Sequence, residues 1–258
     1  MSVAKAQLIA ALCPPLPQDI IDNLLREYLD IKQNFVLGHY APSELNGGRF
    51  SECILRLVQH ISNPPYTPFG TQLPDTNQII RQAEGNVGID ESMRFYIPKL
   101  TRILLDVRNR RNVAHVYGDV DPNYSDSLFV SQVADWILVE IVRLFYRCSI
   151  DAARKTVATI NQVHIPVVFN ADGFLKVQDS SLKAKDMVLV LLYYKKPDSV
   201  PDTDLQKWIR YKNMTNFRNL VLQSLDKEAL IHFEGGRCIL TTKGVLYVER
   251  NLSLELKP

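Results

Sequence analysis

Between residues 18 and 147 the apolar side chains recur every three or four positions, and that periodicity commits the first half of the chain to α-helix. Residues 18–37 place Ile21, Leu24, Leu25, Tyr28, Ile31 and Phe35 on one face, with prolines before them and Gly38 after. Phe50, Ile54, Leu57, Val58 and Ile61 predict a second helix over 43–62, whose first turns Gly47 and Gly48 weaken. Four prolines between Asn63 and Pro74 predict an extended loop. Met93, Ile97, Leu100, Ile103, Leu104 and Val107 predict a third helix from about Asp90, with Pro98 at a kink or in its first turn. Gly118-Asp119-Val120-Asp121-Pro122-Asn123 is turn chemistry. Val130, Val133, Ile137, Ile141, Leu144 and Phe145 then predict a long helix over 125–147. Residues 1–150 read as an all-helical bundle.

The texture changes after residue 150. Val163-His164-Ile165-Pro166-Val167-Val168-Phe169 is β-branched and short, so residues 151–182 read as a connector with a short strand. Helices are predicted over 185–194, 204–211 and 215–225, with Leu220, Val221 and Leu225 needed for the core. A hairpin over 229–241 turns at Gly235-Gly236, and a short helix over 242–249 closes the chain. Helix, helix, helix, hairpin, helix resembles the order of a winged helix-turn-helix domain, here over 183–258. The expected fold is mainly α: a helical bundle followed by a small α+β domain.

A chain of 258 residues has room for two domains with their own cores, and its net charge of +2 is too small to announce nucleic-acid binding. Any basic surface must be local. Cys13, Cys53, Cys148 and Cys238 are far apart and form no CxxC pair, which argues for reduced thiols in a cytoplasmic protein. The apolar run Leu8–Cys13 is too short to span a bilayer, and no membrane partner is expected. No phosphate-cradling glycine loop, zinc spacing or Ser/His/Asp signature occurs, so neither a cofactor nor a metal is expected.

The chemistry concentrates in Arg108-Asn109-Arg110-Arg111-Asn112-Val113-Ala114-His115, directly after an apolar helical pattern. An imidazole moves protons near neutral pH, and a guanidinium offers permanent charge with a fork of donors. Both suit work on a phosphodiester. At roughly 100° per residue, Arg108, Arg111 and His115 share a face at i, i+3 and i+7, Asn112 falls near it, and Arg110 turns away.

These residues resemble the RxxxxH-type motif of the HEPN superfamily, an arginine preceding a histidine by four to six residues and often followed by Asn, Asp or His. Arg108-Asn109, with six residues before His115, meets both conditions, whereas Arg110 meets the spacing but is followed by Arg111. The resemblance covers about residues 18–147. It implies a metal-independent endoribonuclease in which two protomers pair so that both motifs line one cleft. His115 would handle the proton of the 2′-hydroxyl or the leaving oxygen, and Arg108 would stabilise the pentacoordinate phosphate. Asn109 would orient one of them, and Arg110, Arg111 and Asn112 would bind substrate. A 2′-hydroxyl nucleophile requires RNA. Fusions of this kind resemble toxin or antiviral-defence effectors. The competing expectation is a non-catalytic protein that dimerises through the bundle and binds DNA or a protein partner through the winged helix.

Other polar residues carry two readings each. Glu52 and Arg56, at i and i+4, pair on a helix face, or Glu52 buttresses the motif arginine from the neighbouring helix. Arg110 and Arg111 are alternatively a solvated charge run. Asp119 and Asp121 read as turn capping ahead of metal binding. Trp136, at helical spacing with Glu140 and Arg143, reads as core or dimer interface. Thr215, Asn216, Arg218 and Asn219 lie near the start of the expected recognition helix, where base edges or phosphates are met. Residues 181–258 hold 13 Lys+Arg against 9 Asp+Glu, a modest footprint for nucleic acid.

Overall fold

The computed structural model describes residues 3–13, 15–111, 120–160, 165–171 and 173–255. The chain is mainly α-helical with a small C-terminal β-containing region. It divides into two compact units, one over residues 1–35 and 39–163, the other over 164–258 together with 36–38. No helix among the described residues is long and apolar enough to cross a membrane.

The first unit contains α1 (Val3–Leu12), α2 (Gln18–Val36), α3 (Tyr40–Ser62), α4 (Thr76–Gly85), α5 (Ile97–Arg110), α6 (Tyr124–Phe145) and α7 (Ile150–Ile160). The stripe Ile21, Leu24, Leu25, Tyr28 and Ile31 on α2 is wholly buried. Tyr28 is fastened at its polar end, because its hydroxyl donates to Asp135 Oδ1 of α6 at 2.7 Å. Lys32 Nζ donates to Asp135 Oδ2 at 2.7 Å and to Ser131 Oγ at 2.6 Å, which fixes α2 to α6 a second time.

Helix α3 packs against α4, α5 and α6. Its two glycines make those approaches possible. A Cβ on Gly47 would lie 2.6 Å from Val130 Cγ1 of α6, and a Cβ on Gly48 would overlap Arg108 Cδ of α5. Ahead of α5 runs a π-helical turn (Ser92–Tyr96), in which the Ile97 N–H bonds to the Ser92 carbonyl. Pro98 follows that π turn inside one continuous helical stretch, where its missing N–H removes a helical bond and the wider π winding makes room for its ring. Ser92 Oγ donates to Glu140 Oε1 at 2.6 Å, and Arg143 grips the same carboxylate through two nitrogens, tying the π turn to α6.

Three elements differ from the sequence expectation. Helix α4 stands where no helix was read, started by Asp75, whose side chain accepts from the Gln78 N–H, and anchored by buried Ile79 and Ala83. Helix α7 occupies the start of the expected connector and buries Ala153, Val157 and Ile160 at i, i+4 and i+7. The N-terminal apolar run is α1, with Leu8, Ile9 and Leu12 in the core.

The second unit opens with an antiparallel hairpin, β1 (Val168–Ala171) and β2 (Phe174–Val177), in register Val168↔Val177 to Ala171↔Phe174. There follow α8 (Ala184–Lys195), β3 (Val200–Pro201) and α9 (Asp202–Ile209). A continuous helical stretch over 214–227 comes next, built from α10 (Met214–Asn216), a π-helical segment (Phe217–Leu222) and α11 (Gln223–Lys227). Strands β4 (Ile231–Glu234) and β5 (Arg237–Leu240) and helix α12 (Thr242–Asn251) complete the unit. The three strands form an antiparallel sheet in the order β3-β5-β4. Gly235 and Gly236, at φ +56 and +75, supply the left-handed pair that a two-residue hairpin turn demands. Residues Val188–Tyr193 of α8 are consecutively buried, so α8 lies inside the unit, with Leu205, Phe217, Leu222 and Ile231 also buried.

Leu220 corrects the sequence reading. Val221 and Leu225 are buried, but Leu220 is 62% exposed. The π-helical winding of Phe217–Leu222 widens the turn and alters the helical phase, so that Phe217, Val221 and Leu222 are buried while Leu220 faces out.

Gly244 marks the tightest backbone approach in this unit. Thr241 Oγ1 caps α12 by accepting the Gly244 N–H at 3.0 Å, and a Cβ on Gly244 would overlap the Leu230 carbonyl oxygen. Because that obstacle is backbone, we expect Gly244→Ala to cost about 1–3 kcal/mol. Urea unfolding checks it: the midpoint falls while the slope is unchanged.

Candidate functional site

Helix α5 carries the first half of the sequence candidate and then stops. Ile97, Thr101, Leu104 and Leu105 are buried, which leaves Arg108 and Asn109 at the last turn. Arg111 is the C-cap, extended at φ −93 and ψ 166, with its N–H bonded to the Val107 carbonyl. The helix therefore ends at Arg110, and Arg111 does not share a helical face with Arg108. Asn112, His115 and Asp119 lie outside the described residues.

Arg108 is held from two sides. Its Nη1 donates to Glu52 Oε1 of α3 at 3.0 Å, and its Nε donates to Asn109 Oδ1 at 3.1 Å. The guanidinium side chain is 24% exposed and lines an open cleft of about 340 Å³ with Asn109, Leu105 and Glu52. The far wall is the segment Thr71-Gln72-Leu73-Pro74. Gly48 makes this pose possible, since the Arg108 aliphatic stem crosses α3 where any Cβ would stand.

Of the two readings of Glu52, the structure has the buttress. Arg56 does not pair with the Glu52 carboxylate. It donates instead to backbone carbonyls, those of Glu52 at 3.1 Å, Thr67 at 3.1 Å and Thr71 at 3.0 Å, and lies over the Phe69 ring at 4.7 Å. A guanidinium presents donors in a rigid fork, and a loop with freed carbonyls satisfies that fork better than one mobile carboxylate. Arg56 thus pins the proline-rich loop to α3.

Arg110 and Arg111 are each engaged with an acid. Arg110, 74% exposed, pairs with Asp106 one turn back at 3.2 Å. Arg111 Nε meets Asp126 Oδ2 of α6 at 3.3 Å and so links the end of α5 to the start of α6. Asn123 caps α6 by accepting the N–H groups of Ser125 and Asp126, both at 3.0 Å, and donates to the Asp121 carbonyl at 3.0 Å.

Beneath this junction lies Glu44 of α3, fully buried. Its Oε1 accepts from the Asn123 N–H at 3.1 Å and Ser127 Oγ at 3.0 Å, while Oε2 has no partner among the described residues. Sequence reasoning missed it, although Glu44, Gly47, Ser51, Ile54 and Val58 share the buried stripe of α3 and an acid in such a stripe is a signal. Burial raises the Glu44 pKa above its usual value, opposed by the bonds from Asn123 and Ser127 and by the Arg111 charge, and reinforced by Asp126.

Trp136 is not core: it is 43% exposed and meets the edge of Tyr96 at 6.5 Å, while Glu140 one turn on is buried. In the second unit Thr215, Asn216, Arg218 and Asn219 are all exposed. Asn213 caps the stretch by accepting the Asn216 N–H at 2.9 Å. Arg218 Nε bonds to Asp202 Oδ2 at 2.7 Å, a carboxylate only 3% exposed, so Arg218 has a structural partner as well as an open side. Among the described residues no group of three His, Cys, Asp or Glu is placed to hold a metal ion.

Glu44 gives the junction a pH dependence of defined sign. Its raised pKa means that the folded chain binds this proton more tightly than the unfolded chain. The stability it contributes is full below the ordinary carboxylate pKa and falls as pH rises through the raised value. Glu44→Gln, neutral throughout, should gain on the wild type between pH 4 and pH 7, as urea unfolding at the two pH values would record. No protein-family model, curated protein or solved structure matches the chain, so any functional reading rests on the geometry above.

Proposed function

We propose that the helical unit is a metal-independent endoribonuclease of the HEPN type and that the second unit is a winged-helix recognition module. The observation that carries this reading is Arg108: its guanidinium is fixed by Glu52 and Asn109 at the wall of an open cleft, seven residues before His115. A fixed donor fork facing a cleft is the preorganised charge that phosphoryl chemistry needs, because it need not reorganise as negative charge develops. His115 then moves the proton of the 2′-hydroxyl or the leaving oxygen. The working form is a cytoplasmic homodimer of the toxin or defence-effector kind, RNA is its substrate, and DNA or a protein meets the winged helix.

One observation favours the second reading, a non-catalytic dimerisation and DNA- or partner-binding protein. Arg110 and Arg111 each face a carboxylate, which leaves little uncompensated charge for an RNA backbone beside Arg108. Labelled RNA in excess chelator separates the two. We expect cleavage by the wild type and a loss of about 10²-fold or more in Arg108→Ala and His115→Ala. Intact RNA with every protein, beside DNA retained on a low-salt gel, would establish the binding protein instead.

Gly48→Ala probes the same cleft without touching a polar group. The added methyl displaces the Arg108 stem, and a misplacement of about 1 Å costs about 10²-fold in rate. Cleavage kinetics beside a circular-dichroism melt check this, with the helical signal retained.

A further inference from the structure

The α3 face that carries Glu52 continues past Arg108 into a second opening of about 240 Å³. Glu52 and Arg56 line both openings and form the ridge between them. On the far side stand Asn23 and Arg26 of α2, Arg49 of α3 and Phe69 of the proline-rich loop. Arg49, Glu52 and Arg56 lie at i, i+3 and i+7, hence on one helix face, with about 10 Å of rise from first to last. That is about three stacked nucleotide steps at about 3.4 Å each.

The charges differ from those around Arg110 and Arg111. Arg49 is exposed and makes no ion pair among the described residues. Arg26 is 59% exposed, with Glu27 and Asn23 engaging part of its fork. Arg26, Arg49, Arg56 and Arg108 outnumber Glu27 and Glu52 along the joined openings, and with Arg56 buried and committed to carbonyls the cations open to a ligand in the second opening are Arg49 and Arg26. Phe69, half-buried, adds a ring that carries Arg56 on one face at 4.7 Å, so a base would stack on the other. Guanidinium groups spaced along a groove with an aromatic platform are what single-stranded nucleic acid uses, phosphates on the cations and a base on the ring. An acidic peptide would use the arginines and leave the ring idle, and a duplex keeps its bases stacked away from it.

We infer that this second opening is a subsite for a nucleotide of single-stranded RNA, with Arg49 and Arg26 on its phosphate and Phe69 against its base. It rests on the RNA reading of the Arg108 cleft and extends the substrate path along α3.

The test is fluorescence anisotropy of a labelled oligouridine of about ten nucleotides, titrated with full-length His115→Ala protein over a salt series. Arg49→Ala should weaken binding about tenfold and reduce the salt slope by about 0.7. Phe69→Ala should weaken it about tenfold or more. Phe69→Tyr, which keeps the ring, should restore affinity and so separates stacking from loop collapse, while Arg154→Ala on α7 serves as the neutral control. Unchanged affinity in Arg49→Ala and Phe69→Ala, with RNA still cleaved by the wild type, overturns the subsite and leaves the enzyme standing. Weakened binding in both variants, with no cleavage by the wild type, supports the subsite and removes the enzyme. Poly-glutamate bound in place of RNA, and lost in Arg49→Ala, overturns the subsite in favour of an acidic peptide.

Discussion

Two adjacent glycines in the first half of α3 leave room for side chains of two neighbouring helices. Successive residues on a helix point about 100° apart, so Gly47 and Gly48 clear two neighbouring faces. Val130 of α6 occupies the first clearance and the stem of Arg108 the second. A glycine inside a helix costs about 1 kcal/mol against alanine, and the return is proximity. With α5 and α6 drawn onto the same stretch of α3, Arg108 reaches Glu52, Arg111 reaches Asp126, and the start of α6 covers Glu44. At the end of α5 it is the pose of Arg108 that uses this clearance.

The charges at that junction are balanced locally, as they are over the whole chain at +2. Arg108 meets Glu52, Arg110 meets Asp106 and Arg111 meets Asp126. Pairs this exposed contribute about 0–1 kcal/mol each, so their effect on stability is small and their effect on the field is large. Long-range attraction of a polyanion is muted, and under the proposed function a phosphate would be recognised by donor geometry at short range. The proposed chemistry leans on the same property, since a preorganised fork acts where charge develops.

Much of the fold was legible because a helix between layers must carry an apolar stripe. The stripes of α2, α3 and α6 and the Gly235-Gly236 turn were read directly from spacing. Helices α4 and α7 were not, although Ile79 with Ala83 and Ala153 with Val157 and Ile160 show the period; short stripes built on alanine are weak signals. Leu220 was misread because spacing assumes an α turn and the chain takes a π turn there. The face joining Arg108 to Arg111 was misread for a related reason: periodicity cannot say where a helix ends, and Arg111 ends this one. Glu52 was weighed correctly only as a second reading. Its partner depends on Gly48, whose role as a clearance is invisible in one dimension.

Arg56 and Arg108 show how partner chemistry divides two copies of one residue type on neighbouring helices. Arg56 directs Nε, Nη1 and Nη2 to three carbonyls and is buried, so no anion can engage it without unfastening the proline-rich loop. Arg108 engages Nε and Nη1 through one carboxamide and one carboxylate, each by a single oxygen. Its Nη2 donors stand unengaged among the described residues, in a side chain that lines the cleft. In the proposed function a phosphate would take that open edge while the Glu52 carboxylate continues to hold the guanidinium. Glu52 thus fixes where the fork points and leaves its far edge open to the cleft.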